Sequence, residues 1–466
     1  MVTSACFRSG VKGSGPRNRF GEYAAASGIG MPRLQSYSRS GAIWQDASNK
    51  RRNDSVLNGA MKKILVLTGD GKTLVYHRGE LLKRFADAGL EVVGGASEEL
   101  PHVRKFLASF GGRYQVLPIS RSSLNPVDDW RMIRALWKWM REERPDYFFA
   151  YTIKSVCYGC LVAKMLGVPR IFALVPGLGF AFTPDGTWKQ RLVHVMSRFL
   201  YSVALRCVNA VFLQNHDDER LLRETRVIPA RVPIHVTMGS GVPLDEFPFR
   251  ETRSGEQIRK EGMRFVLVTR LLRNKGVCEF AQAAERVRQR WPKAEFLLVG
   301  PPDPSPDGVP AGDVNDWHQR GVIRYEGERR DISNVLRSAD VFVLPTFYRE
   351  GVPRSTLEAL STGLPVITTD AVGSRETILD ASSPGSEEKG IARGKNGWLV
   401  PVKDVPALVQ ACEAALERPE DLAEMGRQSR RLAEQTFDVR RVNRLILGVM
   451  GLREGSDENR EFCRAA

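Results

Sequence analysis

Cysteine and histidine are scarce, seven and six in 466 residues. A thin, odd-numbered scatter of cysteines argues against a disulfide-stapled secreted scaffold and fits a reducing cytoplasm. Long apolar runs are missing as well. The most apolar stretch, Ile171 to Phe182, is broken by Pro176, Gly177 and Gly179. It falls short of the roughly 18 uninterrupted apolar residues of a membrane span, which argues against an integral membrane transporter. Acidic residues are under-represented: 54 Asp and Glu stand against 69 Lys and Arg, a formal net charge of +15. Residues 1–60 hold nine of the cations and three of the acids, so residues 61–466 carry +9. A basic surface implies an anionic partner, whether nucleic acid, phosphorylated substrate or lipid, and charge alone does not choose among them. What remains is ordinary for a globular chain, at 42% hydrophobic and 26% charged residues. The length suits two or three domains, each able to bury its own core.

Residues 1–60 are rich in Gly, Ser and Arg, with Arg17-Asn-Arg19 and Lys50-Arg51-Arg52 but no apolar centre for a secretory signal. They resemble a transit peptide weakly and read as a disordered extension, or as sequence translated upstream of a domain that opens at Met61. From there short apolar runs alternate with helical spacing. Strands are expected at Ile64–Leu67, Glu91–Val93, Tyr147–Ala150, Ile171–Val175 and Ala210–Leu213, and helices at Gly79–Ala88, Trp130–Arg141 and Val156–Leu166. Gly239 to Pro248 reads as a linker. A second series follows, with strands at Phe265–Val268, Phe296–Val299, Val322–Tyr325, Val341–Leu344 and Val366–Thr368. Its helices are expected at Val277–Arg290, Ile332–Ser338, Thr356–Leu360 and Pro406–Leu416. Such alternation predicts an α/β chain of two Rossmann-like domains, residues 61–245 and 246–450, with a polar tail at 451–466. Parallel sheets bind ligands at the carboxyl ends of their strands, so the cleft between the domains is the expected site.

Several motifs have ordinary explanations. Gly69-Asp-Gly71-Lys-Thr73 looks like a P-loop, but the full pattern needs glycine at position 66, which is Val66. A small-residue turn between strand and helix still points backbone N–H groups at an anion. Cys157 and Cys160 have metal-ligand spacing but no second pair, and fall on an apolar helix, which favours packing over zinc. His194 has no partner at ligand spacing. Asp128-Asp129 and Asp217-Asp218 stand at helix starts and read as caps.

The informative stretch is Arg270 to Glu376. Arg270-Leu-Leu-Arg-Asn-Lys275-Gly276 follows a buried strand and opens a helix, where cations, N–H groups and the helix dipole all favour a diphosphate. In Glu350-Gly351-Val352-Pro353-Arg354-Ser-Thr-Leu-Glu358 a loop carboxylate precedes a helix N-terminus. It can meet sugar hydroxyls while the N–H groups hold phosphate. The second carboxylate can accept from both hydroxyls of a ribose.

Those residues resemble the donor site of retaining glycosyltransferases of family 4, which have the GT-B fold: two Rossmann-like domains facing each other across a cleft. Gly239-Ser-Gly-Val, Gly363-Leu-Pro-Val-Ile-Thr, Gly373-Ser-Arg-Glu376 and Lys395-Asn-Gly-Trp-Leu-Val extend the resemblance over about residues 61–450. The first half is similar to bacterial enzymes that build capsule, exopolysaccharide or O-antigen units on undecaprenyl diphosphate, through His77-Arg78, Ser122-Ser-Leu-Asn-Pro126, Tyr151-Thr-Ile-Lys154, Tyr158-Gly159 and Gly177 to Phe182. The resemblance implies that Arg270 and Lys275 neutralise the donor diphosphate, Glu350 contacts the transferred sugar and Glu358 the ribose. It further implies that the turn Gly351-Val352-Pro353-Arg354 presents its N–H groups, which Pro353 itself lacks, to phosphate and that Gly373 closes the donor pocket. Gly69, Gly71, His77, Lys154, Gly177 and Gly179 fall on the acceptor side. The implied donor is a nucleotide-diphospho-sugar, UDP-linked, carrying a hexose or N-acetylhexosamine. The implied acceptor is a lipid-linked saccharide, and neither a metal nor another cofactor is required. The last helix is expected to pack back on the first domain.

One departure bears on chemistry. Where many family members have His-Thr-His, this chain has Tyr151-Thr-Ile153. That disfavours a histidine-assisted mechanism and favours the donor's own phosphate as the group that takes the acceptor proton. Trp137-Lys-Trp139 and the Trp188 to Arg206 stretch mix cations with aromatics, as a peripheral surface on the inner, anionic face of a bacterial plasma membrane would, or as an amphipathic helix over a core would. Two other readings stay open: a UDP-sugar 2-epimerase or phosphorylase-like enzyme on the same fold, and a nucleic-acid-binding protein. Against the latter, the cations are dispersed and no nucleic-acid motif is present.

Overall fold

The computed structural model describes residues 61–120, 125–179, 188–381 and 390–453, with side chains within 188–193 not described. The extension 1–60, Ser122 to Leu124, Phe180 to Phe182, the side chains of Trp188 to Arg191 and most of the polar tail lie outside the described residues.

Residues 61–453 build two seven-stranded sheets. In the first, β1 (Lys62–Leu67), β2 (Leu90–Ala96), β3 (Arg113–Val116), β4 (Tyr147–Tyr151), β5 (Arg170–Val175), β6 (Ala210–Leu213) and β7 (Ile234–Val236) are ordered β3-β2-β1-β4-β5-β6-β7. Every neighbouring pair is parallel. The second joins β8 (Arg264–Val268), β9 (Glu295–Val299), β10 (Arg324–Tyr325), β11 (Val341–Leu344), β12 (Val366–Thr369), β13 (Ala392–Gly394) and β14 (Gly397–Val400) in the order β10-β9-β8-β11-β12-β14-β13. Only the β13–β14 pair is antiparallel among them. Strands buried on both faces read as unbroken apolar runs, and Ile64–Leu67, Phe148–Ala150 and Val341–Leu344 are such runs, wholly buried.

Helices cover both faces of the first sheet. Met132, Leu136 and Met140 of helix Pro126–Glu143 share one core with Val156 and Cys160 and with Tyr201 and Leu205 of helix Trp188–Leu205. On the other face Leu82, Phe85 and Leu107 pack with Val442, Ile446, Leu447 and Met450 of helix Val439–Met450. That last helix thus belongs to the first lobe's core, and the Arg170 guanidinium donates to the Met450 carbonyl at 2.7 Å. The chain crosses between lobes twice, side by side. Val242 N donates to Phe437 O at 2.8 Å, and Val439 N returns a bond to Val242 O at 3.1 Å. The second sheet and its helices enclose a single apolar core from Val242 to Phe437.

Strand β2 runs past the expected Glu91–Val93 through Gly94 and Gly95. These glycines are there for packing: a Cβ would sit 2.9 Å from the Leu107 side chain at Gly94 and 2.7 Å from the Trp139 ring at Gly95. The helix expected at Val156–Leu166 opens with a wide turn, Ser155–Gly159, before the regular Cys160–Met165. It follows Thr152, whose φ of 74° is costly for a β-branched residue. Cys157 and Cys160 are free and buried, and burial pushes both thiols up, to about 12 for Cys157. Among the described residues no three His, Cys, Asp or Glu side chains gather as a metal site, and no helix is long and apolar enough to cross a membrane.

Candidate active site

Lys275 and Glu350 come together because the loops after β8 and β11 are stapled. After β8 the chain makes a single tight turn, Arg273–Lys275, and Gly276 adopts a φ of 79°. A Cβ on Gly276 would lie 2.2 Å from the Pro345 carbonyl, so only glycine lets the turn pass the end of β11. The Asn274 carbonyl then accepts from Phe347 N at 2.9 Å, Tyr348 N at 3.1 Å and the Thr346 hydroxyl at 3.1 Å. With the loops locked, Lys275 Nζ reaches Glu350 Oε1 at 2.5 Å, their side chains only 13% and 18% exposed. The ammonium also sits 5.5 Å from the Tyr348 ring centroid. Burial, and then Glu350, raise the Tyr348 phenol, while Arg270 opposes the shift. Arg270 itself stands on the rim, 61% exposed, with Nη1 2.9 Å from Asp303 Oδ2.

Beyond Glu350, Gly351, Val352 and Pro353 lead into helix Arg354–Thr362, whose first turn has no side-chain cap. Glu358 Oε1 accepts from Arg354 Nε at 2.9 Å. Burial raises the Glu358 carboxyl, the Arg354 charge works against it, and Glu246 adds to it. Arg354 also donates to the Tyr76 carbonyl of the first lobe. Thus Lys275 and Glu350 form one contact pair and Arg354 and Glu358 another, at either end of the loop that runs from β11 into this helix.

Two glycines, Gly177 and Gly351, bring the lobes into backbone contact here, and Gly373 packs behind them within the second lobe. A Cβ on Gly177, after β5, would lie 2.6 Å from Gly351 N and 2.8 Å from the Glu350 carbonyl carbon. On Gly351 it would lie 2.1 Å from the Pro176 carbonyl, and on Gly373, at φ 79°, 1.5 Å from the Gly351 carbonyl. Gly179 faces the Tyr348 hydroxyl, 3.1 Å from where its Cβ would be.

The remaining first-lobe residues divide. Gly69 N donates to Thr152 Oγ1 at 3.0 Å, which ties the β1 and β4 loops and accounts for the strained Thr152. Gly71 packs under the Tyr114 hydroxyl, 2.6 Å from its Cβ position. His77 is solvent-exposed, and desolvation by the crowding around its ring, then the charges of Arg354 and Arg78, lower its imidazole below the usual range. Lys154 is committed to Asp129, at 2.7 Å, and Tyr158 donates to the same carboxylate at 2.7 Å. Asp129 therefore ties its helix to the β4 loop rather than capping it. The Tyr151 phenol is buried, pushed up to about 12, and hydrogen-bonded to Thr73 at 3.0 Å.

Sequence reasoning missed the segment Gln214 to Asp218. Its acids read as caps, but the cap of helix His216–Glu224 is Asn215, whose Oδ1 accepts from Asp218 N at 2.7 Å. Asp217 and Asp218 instead meet arginines of the second lobe, Arg375 at 2.6 Å and Arg349 at 2.7 Å. Gln214, with its amide oriented by its neighbours, donates to the Pro176 carbonyl at 2.9 Å and accepts from Arg78 at 3.1 Å. A cation next to a motif glutamate, with acids far back in the chain, carries no local signal of pairing.

Two facing parallel sheets with cations and carboxylates at their cleft define a class, and the comparisons agree. The family model described as "Glycosyl transferase 4-like domain" matches residues 75–237, and "Glycosyl transferases group 1" matches residues 262–418. The chain belongs to this family and is a glycosyltransferase of the GT-B fold. It is similar to the N,N'-diacetylbacillosaminyl-diphospho-undecaprenol alpha-1,3-N-acetylgalactosaminyltransferase of Campylobacter jejuni, 28% identical over 68% of this chain and 83% of the relative. It is also similar to the UDP-Gal:alpha-D-GlcNAc-diphosphoundecaprenol alpha-1,3-galactosyltransferase of Escherichia coli, 26% identical over 63% of this chain and 72% of the relative. Among solved structures, Anabaena HepE in complex with UDP matches with a TM-score of 0.61 at 15% identity, covering 84% of this chain and all of that one. Sucrose-phosphate synthase from Thermosynechococcus elongatus matches at 0.63 and 18%, covering 83% and 98%.

Proposed function

We propose that the protein transfers a hexose or N-acetylhexosamine, with retention of anomeric configuration, from a UDP-sugar to a saccharide carried on undecaprenyl diphosphate, in the assembly of a bacterial surface polysaccharide. The observation that carries this reading is the Lys275–Glu350 pair, held at the carboxyl ends of β8 and β11 and facing the Gly177 loop of the other lobe. Both relatives named above act on undecaprenol-diphospho-linked saccharides by their names, and the Anabaena neighbour holds UDP.

In this reading the breaking anomeric C–O bond leaves negative charge on the diphosphate and partial positive charge on the sugar ring. Lys275 and the N–H groups of Gly351, Val352 and Arg354 stabilise the leaving phosphate, joined by Arg270 once it leaves Asp303, without a metal. Glu350 holds the sugar, and Glu358 the ribose hydroxyls. A proton acceptor is still needed. Tyr151 is a poor one, because its phenol is buried and raised, and His77 is a poor one, because its basicity is depressed. The departing phosphate oxygen is left as the base, on the same face as the incoming hydroxyl.

A panel of nucleotide-sugars tested for protection against thermal unfolding checks the donor. A UDP-sugar at a hundred times its Kd stabilises the folded state by about 2.7 kcal/mol. We expect UDP-sugars, and UDP itself, to raise Tm, and GDP- and ADP-sugars to leave it unchanged. No shift with any nucleotide-sugar would overturn the reading.

The acceptor lipid implies that the protein works at a membrane. Helices Pro126–Glu143 and Trp188–Leu205 lie on the same face of the first sheet, and both expose apolar side chains: Val127 and Trp130 on one, Val195, Met196 and Phe199 on the other. Cations flank them. Arg134 stacks 5.6 Å over the Trp130 ring, with Lys138 and Arg141 further along the helix and Arg198 beside Phe199. Aromatic rings beside cations suit an anionic bilayer surface, where each basic residue contributes on the order of 1 kcal/mol. The protein is expected to co-float with liposomes containing phosphatidylglycerol but not with phosphatidylcholine alone. Arg134→Glu with Lys138→Glu should lower the bound fraction at least about tenfold. Equal flotation of the variant would place the membrane contact elsewhere.

A further inference from the structure

We propose that Asp218 is a positioning residue for the reaction, a buried carboxylate that holds the donor loop and the acceptor-side glycine loop in register. The proposal rests on the reading of Glu350 as the residue that touches the transferred sugar.

Asp218 is 0% exposed, at the start of helix His216–Glu224 in the first lobe. Its Oδ1 accepts from Arg349 Nη2 of the second lobe at 2.7 Å, and Arg349 is the residue before Glu350. Its Oδ2 accepts from Asn215 Nδ2 at 3.2 Å. The Leu178 backbone amide, between Gly177 and Gly179, faces the same carboxylate. The Asn215 amide also donates to the Glu350 carbonyl at 3.3 Å. One acid therefore reaches both loops whose glycine backbones touch across the cleft.

The neighbours repeat the pattern more weakly. His216 N donates to Glu376 at 3.2 Å, and Asp217 pairs with Arg375. The Asp217–Arg375 pair is partly exposed, its side chains 20% and 37% accessible, and is screened more than Asp218. Asp218 differs: its arginine comes from the opposite lobe, and its carboxylate is sealed from solvent. Opening the lobes would leave a buried charge without its counter-ion, which is the costly case for an ion pair. Closure and the placement of Glu350 are thus one event. A helix start that merely needed capping has Asn215 for that purpose, so capping does not explain Asp218.

The test measures UDP release from the UDP-sugar that protects the protein from unfolding, with detergent-dispersed undecaprenyl-diphospho-saccharide as acceptor, alongside UDP affinity by calorimetry. Asp218→Asn and Arg349→Gln are each expected to lower kcat at least thirtyfold while Kd for UDP changes less than threefold, because Lys275 stands on the separate loop after β8. The double variant should be no slower than the slower single variant, since both break one contact. Deuterium uptake in residues 346–353 should rise in Asp218→Asn and that in β11 should not. Arg349→Gln, on a part-exposed side chain, supplies the answer if Asp218→Asn does not fold. Glu350→Gln separates the two ideas. If it keeps native turnover, the site reading fails. If it abolishes transfer while Asp218→Asn and Arg349→Gln stay within threefold of native kcat, or their effects multiply in the double variant, the positioning proposal is overturned.

Discussion

Lys275→Ala is expected to lower turnover by about a hundredfold or more with the fold intact, and Glu350→Gln by a similar factor. The lysine is the cation held deepest in the donor loops, 13% exposed against 61% for Arg270. A preorganised contact to charge that develops in the transition state contributes about 3 kcal/mol, a hundredfold in rate. In the free protein its nitrogen is occupied by Glu350 at 2.5 Å, so the two side chains are stored as a pair until substrate separates their tasks. Truncating the lysine would remove the proposed phosphate contact and also leave the half-buried Glu350 without its counter-charge. Truncating Arg270 should cost less, about tenfold, and chiefly in the donor KM, because that side chain must first leave Asp303 and moves through solvent. Steady-state kinetics on purified variants, with circular dichroism as the check on folding, decides it. Near-native turnover in Lys275→Ala would remove that residue from the mechanism.

Lys275 and Glu350 were singled out in the sequence because each follows a parallel strand, and apolar runs such as Val341–Leu344 betray strand ends reliably; their pairing was not readable. The two-sheet architecture was readable for the same reason. Edges were less so: β7 is three residues long and β3 four, too short for any periodicity, and β2 was read only as Glu91–Val93, short of Gly94 and Gly95. What the sequence did not offer was the partner of each charge. Lys154 beside a family motif reads as a ligand group, yet it is neutralised by Asp129, 25 residues earlier. Asp217 and Asp218 satisfy every local rule for a helix start and still belong to arginines 158 and 131 residues away. Local propensity and long-range pairing use the same residues there, and only the folded chain distinguishes them. The missing histidine at Tyr151 was visible in the sequence. Burial adds to it: the phenol is raised to about 12 and bonded to Thr73, which in the proposed mechanism makes it a poor base.

Gly177→Ala should be as damaging as Lys275→Ala, by a different route. Gly177 has φ 156°, and its added methyl would meet Gly351 N at 2.6 Å, the Glu350 carbonyl carbon at 2.8 Å and Glu350 Cα at 3.0 Å. All three are main-chain atoms of the opposite lobe, so no side-chain rotation relieves the clash. Relief requires the lobes to separate by about 1 Å, and a displacement of that size at a reacting centre costs on the order of a hundredfold. Each lobe's core lies away from the contact, so unfolding should stay native-like, and UDP should bind with near-native Kd because the donor cations belong to one lobe. Gly373→Ala separates the effects: its methyl would fall 1.5 Å from Gly351 O within the second lobe, so it should weaken UDP binding as well as turnover. Gly312→Ala, in helix Ala311–Gln319 with nothing within 4 Å of the new methyl, is the control and should raise stability slightly. Native kcat in Gly177→Ala would mean that the lobes do not close to this distance during turnover. Lost kcat with unchanged UDP affinity would locate the chemistry at the seam where Gly177 meets Glu350.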